Sequence, residues 1–202
     1  MLVAVFALLF SSSAGAATLA VSPVGGQPTE AGDNQLWGWV FTVNTPITVT
    51  SMGVYDFAGN GGLDISHDVG IYNETGQSLL TSVVVPAGTG GTLMDGFRLE
   101  NVSPFQLAVG TYEIVMTMPS YTVNTDAQLL DVSSYSTPSQ ITYVDSVFGE
   151  GSSLAYVGPS PSHIFTPGIF GPNFTLTPEP STYSMLGLGL AALLAFARRR
   201  RA

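Results

Sequence analysis

The 202-residue chain has no cysteine, no lysine and only two histidines, His67 and His163. Without cysteine, neither disulfides nor thiolate metal centres can support the fold. Export is not thereby excluded, because redox compartment is read from the presence of cystines and not from their absence. Charge is scarce as well: 9% of residues are ionic, and the five arginines are Arg98 and the terminal run Arg198, Arg199, Arg200 and Arg201. Between Ala17 and Thr177, thirteen acidic residues face one arginine, a formal charge of −12. Such a surface repels nucleic acid and other polyanions, so nucleic acid is excluded as a partner. No G-x-S-x-G, H-E-x-x-H or Walker-type loop is present, which removes the commonest sequence signatures of hydrolase and nucleotide chemistry.

What the chain does have is apolar residues, 45% of the total, with 23 glycines and 13 prolines. That is enough hydrophobic side chain to bury a core, and more turn formers than a helical protein tolerates. From Ala17 to Thr177 the apolar pattern is one of short runs broken by Gly, Pro, Asn and Asp, and it predicts strands over Leu36–Val43, Ile47–Tyr55, Asp68–Tyr72, Leu79–Val85, Gly96–Leu99, Gly110–Met118, Ile141–Val147 and Asn173–Leu176. Period-two alternation is clear in several, as at Trp37, Trp39, Phe41 and Val43. Eight or more short strands at this spacing predict an all-β fold, an antiparallel β-sandwich or jelly roll, occupying 17–177 as one domain. Trp39, Phe41, Val54, Ile71, Val84, Phe97, Tyr112, Ile114 and Phe174 are expected between its sheets, and Gly149 to Pro172 is expected to be a long surface loop.

Both ends of the chain are apolar. Leu2 to Phe10 is an unbroken hydrophobic run followed by Ser11-Ser12-Ser13-Ala14-Gly15-Ala16-Ala17, which reads as a secretory signal peptide over 1–16 with a small-residue cleavage site. No basic residue precedes the run, so the natural start is expected upstream of Met1. At the other end, Ser181 to Ala197 is uncharged and is followed at once by Arg198, Arg199, Arg200 and Arg201. As a helix this segment spans about 25 Å, a short transmembrane helix, with the arginines on the cytoplasmic side and the body outside.

Pro178-Glu179-Pro180 stands immediately before that helix. The order of Pro-Glu-Pro, a short Gly/Ala/Leu-rich helix and a terminal arginine cluster, over 178–202, closely resembles the PEP-CTERM sorting signal of Gram-negative bacteria. The resemblance implies that Pro178, Glu179 and Pro180 are read by a membrane-embedded processing enzyme, an exosortase. It also implies inner-membrane anchoring by Ser181 to Ala197 before processing and a cell-surface or extracellular destination afterwards. Flanking prolines keep the tripeptide extended and out of the helix, open to such an enzyme. Within the body, Gly38-Trp39-Val40-Phe41-Thr42-Val43, His67-Asp68-Val69-Gly70-Ile71-Tyr72 and Phe170-Gly171-Pro172-Asn173-Phe174 resemble ectodomains that commonly precede such tails; this implies a sandwich and no particular chemistry.

Candidates for further chemistry are few. Asp56, Asn60, Asp64 and Asp68 lie in a glycine-rich acidic segment. They have the oxygen ligands a Ca²⁺ site needs, although the spacing departs from the EF-hand loop and the same residues suit a tight turn. His67 reads as a hydrogen-bonding residue at a strand edge rather than a general base, with Asp68 facing the opposite side; His163 reads as a loop residue. Trp37, Trp39 and Phe41 fit either a sugar-stacking platform or, more simply, the inner face of a strand. The expectation is a non-enzymatic exported surface or extracellular-matrix protein. The alternative is a carbohydrate-binding module for extracellular polysaccharide, with Ca²⁺ as a potential cofactor.

Overall fold

A computed structural model describes residues 16–30, 34–56, 61–119, 126–158, 167–178 and 189. The predicted signal peptide lies outside these residues but for Ala16, as do Glu179, Pro180 and Arg198 to Arg201; of the predicted transmembrane segment only Gly189 is described. Among the described residues no helix is long and apolar enough to cross a membrane.

Over residues 16–178 the described chain is all β. Its strands are β1 (Thr18–Leu19), β2 (Ser22–Glu30), β3 (Gln35–Val43), β4 (Ile47–Tyr55), β5 (His67–Asn73), β6 (Ser78–Val85), β7 (Thr92–Met94), β8 (Phe97–Leu107), β9 (Gly110–Met118), β10 (Ala127–Ser136), β11 (Ile141–Glu150) and β12 (Pro172–Pro178). One five-stranded sheet runs β1-β12-β4-β8-β7, another runs β11-β3-β9-β5-β6, and β2 and β10 form a separate ribbon. Every pairing is antiparallel. The two large sheets bury one continuous core between them, a sandwich-like arrangement in which alternate residues of each strand point inward.

The centre of that core is aromatic. Trp39 stacks on Phe174 of the opposite sheet at a ring separation of 5.9 Å, and Phe41 lies 5.0 Å from the same ring. The Trp39 indole N–H donates to the Pro172 carbonyl at 2.8 Å, which satisfies its polar atom and ties β3 to β12. Trp37, Trp39 and Phe41 are all buried, so the aromatic stripe is packing and not a stacking platform. Eight of the nine residues expected inside are buried.

The ninth, Val84, is 58% exposed. It is a correction with a simple cause: β6 is the edge strand of its sheet, and Val84 pairs with exposed Asp68 on the outer face while Val83 and Val85 point inward. A register irregularity opposite Ile71 and Tyr72 leaves Leu80 without a direct partner, which breaks simple period-two counting along this strand.

Four strands lie outside the sequence expectation: β1, β2, β7 and β10. All are peripheral. β2 contains Pro23, Gly25, Gly26 and Pro28, and β10 is rich in serine, since the ribbon packs through few side chains, chiefly Leu129 and Val132. The expected surface loop also needs correcting. Among its described residues, Ile169 and Phe170 are fully buried, and Leu154, Tyr156 and Val157 pack on Leu36, Val40, Tyr72, Val115 and Val147. The segment 151–158 is a strap over the outer face of the β3 sheet, and it explains why β3 and β9 are buried on both faces.

Candidate functional site

The segment that the sequence marks for recognition begins inside the sheet. In β12, Leu176 pairs with Val49, Thr177 with Thr48 and Pro178 with Ile47. No spacer therefore separates the folded body from Pro178-Glu179-Pro180; the first proline is the last residue of the strand. On its other side β12 pairs with β1, Thr18 opposite Leu176 and Leu19 opposite Thr175. Asn173 strengthens this junction. Its side chain is fully buried, its Nδ2 donates to the Val21 carbonyl at 2.8 Å, and its Oδ1 accepts from the amides of Val21 and Phe174. Although Asn173-Phe174-Thr175 has the form of a glycosylation sequon, an amide so enclosed and so fully bonded is a structural clamp.

The acidic segment is divided by the fold. Asp56 is buried and accepts from the Arg98 guanidinium, through Nε at 3.0 Å and through Nη2. Asp64 and Asp68 are exposed, with the Asp64 amide donating to Asp126 and the Asp68 amide to the Thr117 hydroxyl. Asn60 lies outside the described residues. Among the described residues no group of three or more His, Asp or Glu side chains is placed to hold a metal ion.

His67 is buried in the core side of β5, not exposed at an edge. Its Nδ1 faces the Thr117 carbonyl at 2.7 Å and its Nε2 faces Asp126 Oδ2 at 2.9 Å. Each ring nitrogen thus lies within hydrogen-bonding distance of one oxygen acceptor. The same Asp126 accepts from the amides of Asp64 and Ile65. Through Thr117 and Asp126, His67 helps fasten the Asp64–Ile65 segment to β9. The pairing partner was not legible in sequence, since Asp126 is 59 residues away and outside any motif. His163 lies outside the described residues.

A third carboxylate was missed as well. Glu113 of β9 is 0% exposed, and it receives the amides of Val157 and Gly158 from the strap, each at 2.8 Å. Burial drives its pKa up to about 7; the two amide bonds pull the other way, and the nearby Glu74 charge adds to the rise. Beside it, the Tyr156 hydroxyl donates to Glu74 Oε2 at 2.7 Å. Burial together with this carboxylate neighbour pushes the phenol up to about 12. The arrangement closes the strap onto the sheet with buried polar contacts.

An all-β, sandwich-like body whose last strand runs directly into a C-terminal targeting segment defines a class: exported proteins delivered by a sorting tail. The model of the PEP-CTERM protein-sorting motif matches residues 176–201, so the tail is a PEP-CTERM motif, that of exosortase-sorted proteins exported to the cell surface. No curated protein and no solved structure matches the chain.

Proposed function

We propose that the protein is an exported surface or extracellular-matrix protein whose tail anchors it in the inner membrane until an exosortase acts near Pro178-Glu179-Pro180. Its body serves as a non-catalytic structural or interaction module. The carrying observation is the sorting motif over residues 176–201, continuous with the final strand. The non-catalytic reading is supported by His67, both of whose ring nitrogens are already engaged. Polysaccharide recognition through a flat aromatic platform is disfavoured by the burial of Trp37, Trp39 and Phe41.

The test replaces Pro178, Glu179 and Pro180 together by alanine in a host that has the processing enzyme. Insertion should persist, because the apolar segment and arginines are untouched, while the full-length protein accumulates in the inner membrane. Gel mobility and membrane fractionation read the result. Equal processing of the variant, or retention of Arg198 to Arg201 in the mature wild-type protein, would sink the reading.

A further inference from the structure

The strand registers determine which connections share an end of the sandwich. Val43 of β3 and Ile47 of β4 are joined by a three-residue turn, and Leu107 of β8 and Gly110 of β9 by a two-residue turn. Across the sheets, Val43 pairs with both Ile141 and Gly110, Asn73 pairs with Tyr112, and Ile47 pairs with both Leu107 and Pro178. Thr18 lies beside Leu176. The turns 44–46, 74–77, 108–109 and 137–140, the start of β1 and the finish of β12 therefore all lie at one end. The chain enters and leaves the body on adjacent strands, about 5 Å apart.

The two ends differ in charge. Of the residues in those four turns only Glu74 is charged, and its Oε2 is held by Tyr156. Val109 is 64% exposed at the tip of its turn, which the Tyr112 hydroxyl fixes by donating to the Ala108 carbonyl at 3.0 Å. The opposite end presents the exposed carboxylates of Asp64, Asp68, Asp95 and Glu150.

We infer that the end where β1 begins and β12 finishes is a membrane-facing surface, seated against the lipid headgroups while the sorting tail is in place. The inference rests on the sorting reading and extends it from the tail to the body. With no spacer between Thr177 and the motif, the body cannot stand far from the bilayer. A nine-residue strand is about 30 Å long, several times the Debye length of about 8 Å at physiological ionic strength. With the uncharged end down, the acidic end is screened from anionic headgroups; the reverse orientation would press four carboxylates onto them. The adjacency of the termini also lets the body fold while a signal peptide and the tail are both still in one bilayer.

Because the chain has no native cysteine, single-cysteine labelling is clean. Full-length protein carrying Val109→Cys, Ser139→Cys, Thr92→Cys or Ser152→Cys, each bearing an environment-sensitive fluorophore, is reconstituted in vesicles of phosphatidylethanolamine and phosphatidylglycerol containing a headgroup-level quencher. Quenching is expected at positions 109 and 139, with none above the vesicle-free control at 92 and 152. Adding carboxylates at the uncharged end, as Thr45→Glu with Gln140→Glu, should reduce the quenching at 109 in anionic vesicles but not in phosphatidylcholine vesicles. Equal quenching at both ends, or none at 109 and 139 in protein that floats with the vesicles, overturns the inference, the latter leaving that end for the processing enzyme to contact. Failure to float at all would instead count against the anchoring reading of the tail, so the two failures are distinguishable.

Discussion

Two regions of the body bury carboxylates in opposite ways. At the end remote from the termini, Asp56 is matched by Arg98 and Asp126 by His67. On the outer face of the β3 sheet, Glu113 is just as buried but, among the described residues, accepts from two backbone amides, with another carboxylate, Glu74, nearby. A cation repays most of the desolvation of a buried acid, whereas amide dipoles repay part of it. The first arrangement therefore ties segments together through partnered side chains. The second holds the strap with a strength that depends on pH, and its group titrates near neutrality.

The largest effect expected from breaking this contrast is at Asp126. Asp126→Ala strips the partner from His67 and from the Asp64 and Ile65 amides, and should cost about 2–5 kcal/mol in thermal or denaturant unfolding, at roughly 1–3 kcal/mol for each buried polar group left unsatisfied. Arg98→Met should be nearly as costly, because Asp56 is left buried without its cation. The double replacement Arg98→Met with Asp56→Leu should recover most of that loss. A double variant no better than the single one would show that these side chains matter through packing rather than charge.

The smallest effect, and the sharpest, is at Glu113. Its folded pKa of about 7 stands above the ordinary 4.5, so the folded state holds the proton more tightly than the unfolded chain. The associated stability is fully present below about pH 4.5 and is lost as pH rises through about 7. Unfolding free energy should fall by about 2–3 kcal/mol over that interval on this account alone. Glu113→Gln should remove this component of the slope; taking the difference between wild type and variant isolates it from other titrating groups. An unchanged slope in the variant, or a Glu113→Gln penalty at pH 8 as large as that of Asp126→Ala, would erase the distinction between the two regions.

How much of this was visible beforehand follows from where each residue sits. Strands in the middle of the large sheets announce themselves because one face packs on the core: β4 and β9 have the bounds expected of them, and β3 differs by one residue. Strands at edges and in the ribbon do not, since β2 needs to bury little and so can contain two prolines and two glycines. The strap at 151–158 was read as surface because Gly, Pro and Ser dominate its neighbourhood, yet three apolar side chains suffice to dock it on β3 and β9. His67 reads in sequence as a hydrogen-bonding residue, which it is, but its burial and its partners are not recoverable from spacing. Those partners are Asp126 and Thr117, 59 and 50 residues away.

Sequence alone determined the class and destination of this protein. Composition, alternation and the tail are one-dimensional signals: hydrophobic periodicity reports local structure, and the sorting motif is a contiguous run of residues. Tertiary structure alone decided which buried carboxylates are partnered by Arg98 or His67 and which is held by backbone amides, that Pro178 is already part of the sheet, and that the first and last strands lie side by side. These are consequences of pairing between residues as much as 158 positions apart, as with Thr18 and Leu176. Such pairings are selected by the energy of the whole sandwich, in which each strand's place is decided by the complementarity of the others.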